Sequence, residues 1–114
     1  MLKISTHTLD ATSGTHAANI EVSFFSLDKN FNLTKLCSNV TDNGGRLSFE
    51  FELEPNISSD QFQMSFNIGN YFNFNGSGLH ASSVNLIVRL PDPSGHYHLP
   101  IIISPHGASL WWSK

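Results

Sequence analysis

Apolar and polar side chains alternate along much of this chain, and this pattern constrains the fold more than any other feature. In residues 47–53 every second side chain is apolar, and Ser or Glu stands between. The same alternation recurs in residues 20–24, 62–68 and 84–90. Successive side chains of a strand point to opposite faces, so these segments are expected to be half-buried strands in antiparallel sheets.

Turn-forming residues separate these apolar segments. Clusters of Gly, Pro, Asn, Asp and Ser occur at 13–14, 28–30, 43–45, 75–78 and 91–95. Their spacing indicates about eight strands, which predicts an all-β fold, an eight-stranded antiparallel β-sandwich. One short helix is predicted at residues 69–74. The 114 residues contain no repeat or linker, so one domain over residues 1–114 is expected.

Composition argues against several classes of function. Charged residues make up only 13% of the chain, and its six Lys and Arg residues are scattered, so no nucleic-acid partner is expected. No apolar run is long enough to cross a membrane, and the first residues lack the apolar segment of a secretion signal. A cytoplasmic location is therefore expected. Cys37 is the single cysteine and cannot form an internal disulfide.

Imidazole and guanidinium groups in three short segments are the main candidates for chemistry. His7 lies in the first predicted strand, Arg46 follows two glycines, and His96 and His98 are two residues apart. On an extended strand this spacing places both imidazoles on one side, where they can form an acid–base site or a metal site. Considered one at a time, these side chains are explained equally well by an ordinary position on the solvated surface. Zinc stays an alternative, although no Cys or carboxylate motif supports it.

The remaining histidines and the first aspartate have simpler interpretations. His16, His80 and His106 lack a comparable spacing and are expected at the surface. Asp10 closes the first predicted strand, so we expect it to cap a turn.

The order of these segments resembles the 5-hydroxyisourate hydrolase family, the enzymatic relatives of transthyretin. The matching stretches are STHTLD at 5–10, TDNGGR at 41–46, GNYF at 69–72 and HYHLPIIISP at 96–105, with Gly14 and residues 17–18 between them. The resemblance implies the transthyretin-like (prealbumin-like) sandwich and a homotetramer built as a dimer of dimers, with active sites in the channel between dimers. It implies neither a cofactor nor a metal.

The resemblance also implies a role for each candidate. His7 and His98 would activate water and move protons, and Arg46 would orient the substrate and stabilise negative charge. His96 matches a family histidine beside the site. The family reaction hydrolyses a C–N bond of a small purine-derived substrate: water attacks a carbonyl carbon, a histidine takes its proton, and an arginine holds the oxyanion.

The C-terminal tail departs from the family pattern. Family members end in Tyr-Ser-Thr-Tyr-Arg-Gly-Ser, whereas this chain ends in ASLWWSK at 108–114, so Trp111 and Trp112 replace the second tyrosine and the arginine. Ser109 is kept, and strand alternation places it on the same face as Trp111. In the family that face lines the channel. We therefore predict that His96, Ser109 and Trp111 bind the substrate; packing of both tryptophans at an interface is the alternative.

Three functions fit a retained His–Arg–His set with an altered tail. The favoured hypothesis is a hydrolase of the same mechanism acting on another C–N bond, in a more apolar cyclic or acyl amide, because a pocket that loses polar donors binds a polar ring poorly. The first alternative is a genuine 5-hydroxyisourate hydrolase of urate degradation. The second is a non-catalytic carrier of an apolar ligand, which would have no need of His7, Arg46 and His98.

Overall fold

Two β-sheets form the molecule in the computed structural model, which describes residues 1–55, 57, 59–72 and 78–114. The strands are β1 (Leu2–Asp10), β2 (Thr15–His16), β3 (Glu21–Leu27), β4 (Leu33–Val40), β5 (Arg46–Phe51), β6 (Gln61–Asn67), β7 (Ser83–Arg89), β8 (His96–His98), β9 (Ile101–Ser104) and β10 (Gly107–Leu110). The first sheet has the order β10-β9-β1-β2, and β5 and β8 also pair with β1. The second has the order β4-β3-β6-β7. The predicted all-β sandwich is confirmed.

The core lies between the sheets, and alternation along β1 decides which side chains enter it. The even-numbered residues of β1 are buried and the odd-numbered ones are partly exposed. Across the sandwich, Phe24 of β3 contacts Phe51 of β5, with ring centroids 5.8 Å apart. The odd-numbered side chains of β1 therefore point away from the second sheet, onto what is called here the outer face of the first sheet.

The described residues form ten strands instead of about eight, for two local reasons. The two-residue β2 is too short to stand out in the sequence pattern. Pro100 lies between β8 and β9 and has no backbone N–H to donate, so it divides this segment into two short strands.

Pairing within the first sheet is mixed, which corrects the prediction of a purely antiparallel sandwich. β8 and β9 run parallel to β1, whereas β2 and β5 run antiparallel to it. Side chains alternate with the same period in both kinds of pairing, so strand direction does not show in the sequence pattern.

The predicted helix at 69–74 is wrong where it can be compared with the structure. Residues 69–72 form a turn, and residues 73 and 74 lie outside the described part. The Tyr71 amide donates to the Ile68 carbonyl over 3.1 Å, and the Tyr71 hydroxyl donates to the Asp10 carboxylate over 2.9 Å. Gly69 and Asn70 favour a turn over a helix. Within the described ranges we find no helix long and apolar enough to span a bilayer.

Candidate active site

Strand β1 brings the three predicted catalytic residues together on the outer face. His7 pairs with Arg46 at the start of β5, and Ser5 pairs with His98 at the end of β8. Directly paired residues project to the same side of a sheet. Side chains from opposite ends of the sequence therefore emerge from adjacent strands onto one surface.

A tight turn places Arg46 at the first position of β5. One carboxylate oxygen of Asp42, Oδ1, accepts hydrogen bonds from the amides of Gly44 and Arg46, each over 2.9 Å. Gly45 has a φ of +73°, and a Cβ there would overlap the Thr8 carbonyl oxygen. The glycine is therefore required both for the backbone conformation and for the close approach of this turn to β1.

His98 is held by its ring and by its backbone. Its Nδ1 atom lies 2.8 Å from the Ser5 hydroxyl oxygen. Its amide and carbonyl exchange hydrogen bonds of 2.9 and 3.0 Å with Ser113. The last residues of the chain therefore help to fix the strand that carries this imidazole.

Burial and the Arg46 guanidinium together keep the central imidazoles neutral. Burial lowers the pKa of His7 and the pKa of His98, and the charge of Arg46 lowers both further. Smaller contributions in the same direction come from His16 and His98 for the pKa of His7, and from His96 for the pKa of His98. A neutral imidazole has a free lone pair at neutral pH, which a general base requires.

His16 is the residue that the sequence analysis missed. It is exposed, as expected, but its Nδ1 lies 2.9 Å from Nε2 of His7, and the ring centroids are 5.0 Å apart. The β1–β2 hairpin creates this contact, because it pairs His16 with Leu9, two residues beyond His7. The available signal was the turn around Gly14, where φ is +75°.

Register places His96 and Ser109, two of the three predicted substrate-binding residues, on the outer face, and Trp111 follows directly after β10. His96 pairs with Lys3 and is exposed, and Ser109 pairs with Ile102. The Trp111 amide donates to the Pro100 carbonyl over 3.4 Å, so the chain continues along β9 and β8 beyond β10. Trp111 retains 44% of its surface and Trp112 retains 59%. Substrate contact by these residues stays a prediction.

Other candidate groups are structural or peripheral. Asp10 accepts a hydrogen bond from the Thr12 amide over 2.8 Å, as expected of a turn cap. Burial raises the pKa of the half-buried Cys37 to about 11, which leaves the thiol protonated and unreactive. In the part of the chain that the structure describes, no three His, Cys, Asp or Glu side chains are grouped so as to hold a metal ion.

The fold defines a transthyretin-like protein. The structure aligns with sea bream transthyretin in complex with thyroxine at a TM-score of 0.78 and 20% identity, covering 96% of this chain and 93% of the other. It aligns with (S)-allantoin synthase at 0.77 and 22%, covering 99% of this chain and 44% of the other. Identities this low support the shared fold alone.

Sequence comparison gives the family. Residues 4–112 match the HIUase/Transthyretin family, and the chain belongs to it. It is 30% identical to a 5-hydroxyisourate hydrolase of Halalkalibacterium halodurans, covering 96% of this chain and 95% of the relative. It is 26% identical to a 5-hydroxyisourate hydrolase of Mesorhizobium japonicum, covering 96% and 90%. The prediction of a hydrolase of this family is confirmed.

Proposed function

We propose that this protein hydrolyses 5-hydroxyisourate. The observation that carries the proposal is the meeting of His7, Arg46 and His98 on one face, in a chain that matches named 5-hydroxyisourate hydrolases along 96% of its length. The hypothesis of another C–N substrate was favoured by the tail alone. The full-length similarity to these enzymes supports the alternative better, because it extends across the whole sandwich.

The geometry suits water attack without a protein nucleophile. One neutral imidazole accepts a proton as the water oxygen bonds to a carbonyl carbon, and the Arg46 guanidinium donates hydrogen bonds to the developing oxyanion. The C–N bond then breaks, and an imidazole delivers a proton to the departing nitrogen. Water is thus divided across the bond, with hydroxyl on carbon and hydrogen on nitrogen, and both imidazoles end as they began.

Assembly as a homotetramer is part of the proposal. β7 and β10 stand at the ends of their sheets' strand orders, and free strand edges favour pairing with another copy. Trp111 and Trp112 add exposed apolar surface next to β10. Light scattering coupled to size exclusion should give a mass four times the 12.6 kDa of one chain. A monomer mass would contradict this assembly.

Hydrolysis of a more apolar amide is the second candidate, and the exposed Trp111 and Trp112 favour it. Two indoles stand where the family has a phenol and a guanidinium. An indole offers a large apolar surface and a single N–H donor, so it recognises a polar ring less well than the family pair.

Turnover of freshly generated 5-hydroxyisourate, followed by ultraviolet absorbance against its spontaneous decay, tests the proposal. We expect clear acceleration that His7→Ala abolishes and His106→Ala preserves, since His106 lies exposed in the turn between β9 and β10. Decay at the uncatalysed rate by the folded protein would overturn the proposal. Cyclic and acyl amides of lower polarity would then be tested, and a tightly bound apolar ligand without product would favour a carrier.

A further inference from the structure

His16 provides a second imidazole next to His7, and the hydrolytic steps proposed above do not use it. The Nδ1 atom of His16 lies 2.9 Å from Nε2 of His7, which is hydrogen-bond distance for two ring nitrogens. Two neutral imidazoles can share one N–H in this arrangement. When one of them is protonated, the charged ring donates to the neutral one, and such charge-assisted bonds are stronger than neutral ones.

We propose that His16 is a positioning residue that fixes the ring of His7 and shares the proton that His7 removes from water. The inference rests on the proposed hydrolytic function and extends it. The proton that leaves the attacking water is the one the pair gains, and the departing nitrogen receives it afterwards. The added proton enters at Nδ1 of His7, the ring nitrogen that does not face His16, and the N–H that already bridges Nε2 and Nδ1 shifts towards His16. The pair therefore carries one added positive charge, shared by the two rings, while the tetrahedral intermediate exists.

The surrounding charges favour one added proton and direct it towards His16. On the β5 side Arg46 repels positive charge on His7, and on the β8 side His98 does so more weakly. Asp42, in the turn before β5, attracts positive charge on His16. A proton gained by the pair is therefore repelled at the His7 end and attracted at the His16 end. A second proton would place two cations 2.9 Å apart beside Arg46.

Backbone geometry makes this contact a built feature rather than a chance approach of two surface side chains. β2 pairs with β1 through Leu9–His16 and Asp10–Thr15. The Asp10 carboxylate caps the intervening turn, and the next residue, Ala17, donates its amide to the Thr8 carbonyl over 2.9 Å. His16 is thus held by hydrogen bonds on both sides, in the register that places its ring diagonal to His7.

Two substitutions at one position separate the positioning of the ring from the sharing of charge. His16→Ala removes both. His16→Asn restores a hydrogen-bonding amide close to the position of Nδ1 but cannot take up a proton. His106→Ala is the matched control, since it removes an exposed histidine from a turn outside the site. All three proteins would be compared by circular dichroism, so that a loss of fold is recognised.

Kinetics provide the first readout. We expect His16→Ala to lower kcat about tenfold with KM changed less than about twofold, a part of the contribution that a general base makes. His16→Asn should recover most of kcat at alkaline pH, with the acid limb of its pH profile moved to higher pH because the charge of His16 no longer opposes protonation of His7. A folded His16→Ala protein with the kcat and pH profile of the wild type would overturn the inference.

Nitrogen-15 NMR of the imidazoles provides a readout that needs no substrate, so the inference can be judged even if 5-hydroxyisourate is not turned over. In the wild type we expect the titration of His7 to occur in two steps that belong to its pair with the neighbouring ring. In His16→Asn, His7 should titrate in one step, at higher pH than the more acidic of the two wild-type steps, because the charge of His16 no longer opposes its protonation. Unchanged His7 titration in His16→Asn would refute proton sharing, whereas absent turnover with coupled titration would refute only the proposed substrate.

Discussion

Strand β1 and the C-terminal segment from β10 to Lys114 both border the candidate site, but they are held very differently. β1 pairs with β5 on one side and with β8 and β9 on the other. Among the described residues, the C-terminal segment pairs with β9, with Pro100 through the Trp111 amide, and with His98 through Ser113. Groups that need fixed geometry thus lie on or beside the doubly paired strand, and the residues that differ from the family pattern lie at the sheet edge. Change at an edge disturbs fewer contacts, so substrate recognition can alter there while the catalytic groups stay in place.

Substitution of Arg46 should have the largest effect, and it tests whether the residues on and beside β1 carry the catalysis. We expect Arg46→Ala to lower kcat about 10²- to 10³-fold, because the guanidinium stabilises the oxyanion. Arg46→Lys should recover only part, since lysine lacks the planar fork. The control is Arg89→Ala, which removes an exposed arginine of β7 paired to Asp60 over 2.8 Å. Equal activity of Arg46→Ala and Arg89→Ala would remove the role assigned to Arg46.

Truncation of Ile4 tests how firmly β1 is anchored. Ile4 lies in β1 with no exposed surface, and Ile87 in β7 is an isoleucine with 49% of its surface exposed. We expect Ile4→Ala to lower the free energy of unfolding by about 2–5 kcal/mol, through lost apolar burial and the cavity that remains. Ile87→Ala should cost no more than about 1 kcal/mol. Chemical denaturation followed by tryptophan fluorescence measures both, and similar costs would show that burial of Ile4 does not anchor β1.

Restoring the family residues at positions 111 and 112 tests whether the C-terminal segment sets substrate preference. The double variant Trp111→Tyr and Trp112→Arg returns a phenol and a guanidinium to the tail. If the tail sets substrate preference, kcat/KM for 5-hydroxyisourate should rise about tenfold, mostly through KM, while the turnover of more apolar amides falls. The variant also replaces two exposed apolar side chains, so its mass in solution must be measured in parallel. Unchanged kcat/KM in a protein of unchanged mass would mean that the tail does not select the substrate.

The sequence allowed the sandwich to be predicted because the faces of each strand differ so clearly. Alternation in residues 62–68 places the apolar side chains on one face, and Phe62, Met64 and Phe66 are indeed buried in the core. The alternation of side chains has the same period in parallel and antiparallel strands, however, so it did not predict the parallel pairing of β8 with β1.

Contacts that depend on register were also beyond the sequence. The approach of His16 to His7 requires the exact pairing of Leu9 with His16, and a shift of one residue would turn the imidazole to the other face. The turn at 69–72 was mistaken for a helix because its tie to Asp10, through the Tyr71 hydroxyl, is a long-range contact. The family resemblance supplied the roles of His7, Arg46 and His98, which local patterns alone left open.

The mildest expected effect is a pH dependence that should separate activity from stability. The pKa of His7 and the pKa of His98 lie below the ordinary value of 6.5, because burial and Arg46 disfavour their charged forms. Activity should therefore be level above 6.5 and fall only at lower pH, where the folded protein begins to protonate these rings. Stability responds earlier: as pH falls through 6.5 the unfolded chain binds protons first, so the free energy of unfolding declines while the active site is still neutral.

Two measurements on one protein check the order of these losses. Thermal unfolding and initial rates, both recorded between about pH 8 and about pH 5, should show the melting temperature declining before the rate does. Added salt should move the acid limb of the rate towards 6.5, since screening weakens the repulsion from Arg46. If the rate instead began to fall above 6.5, the imidazoles would be more readily charged in the folded protein than in the unfolded chain. In that case β1 would not keep His7 neutral, and the difference in strand pairing between β1 and the C-terminal segment would not explain where the catalytic groups lie.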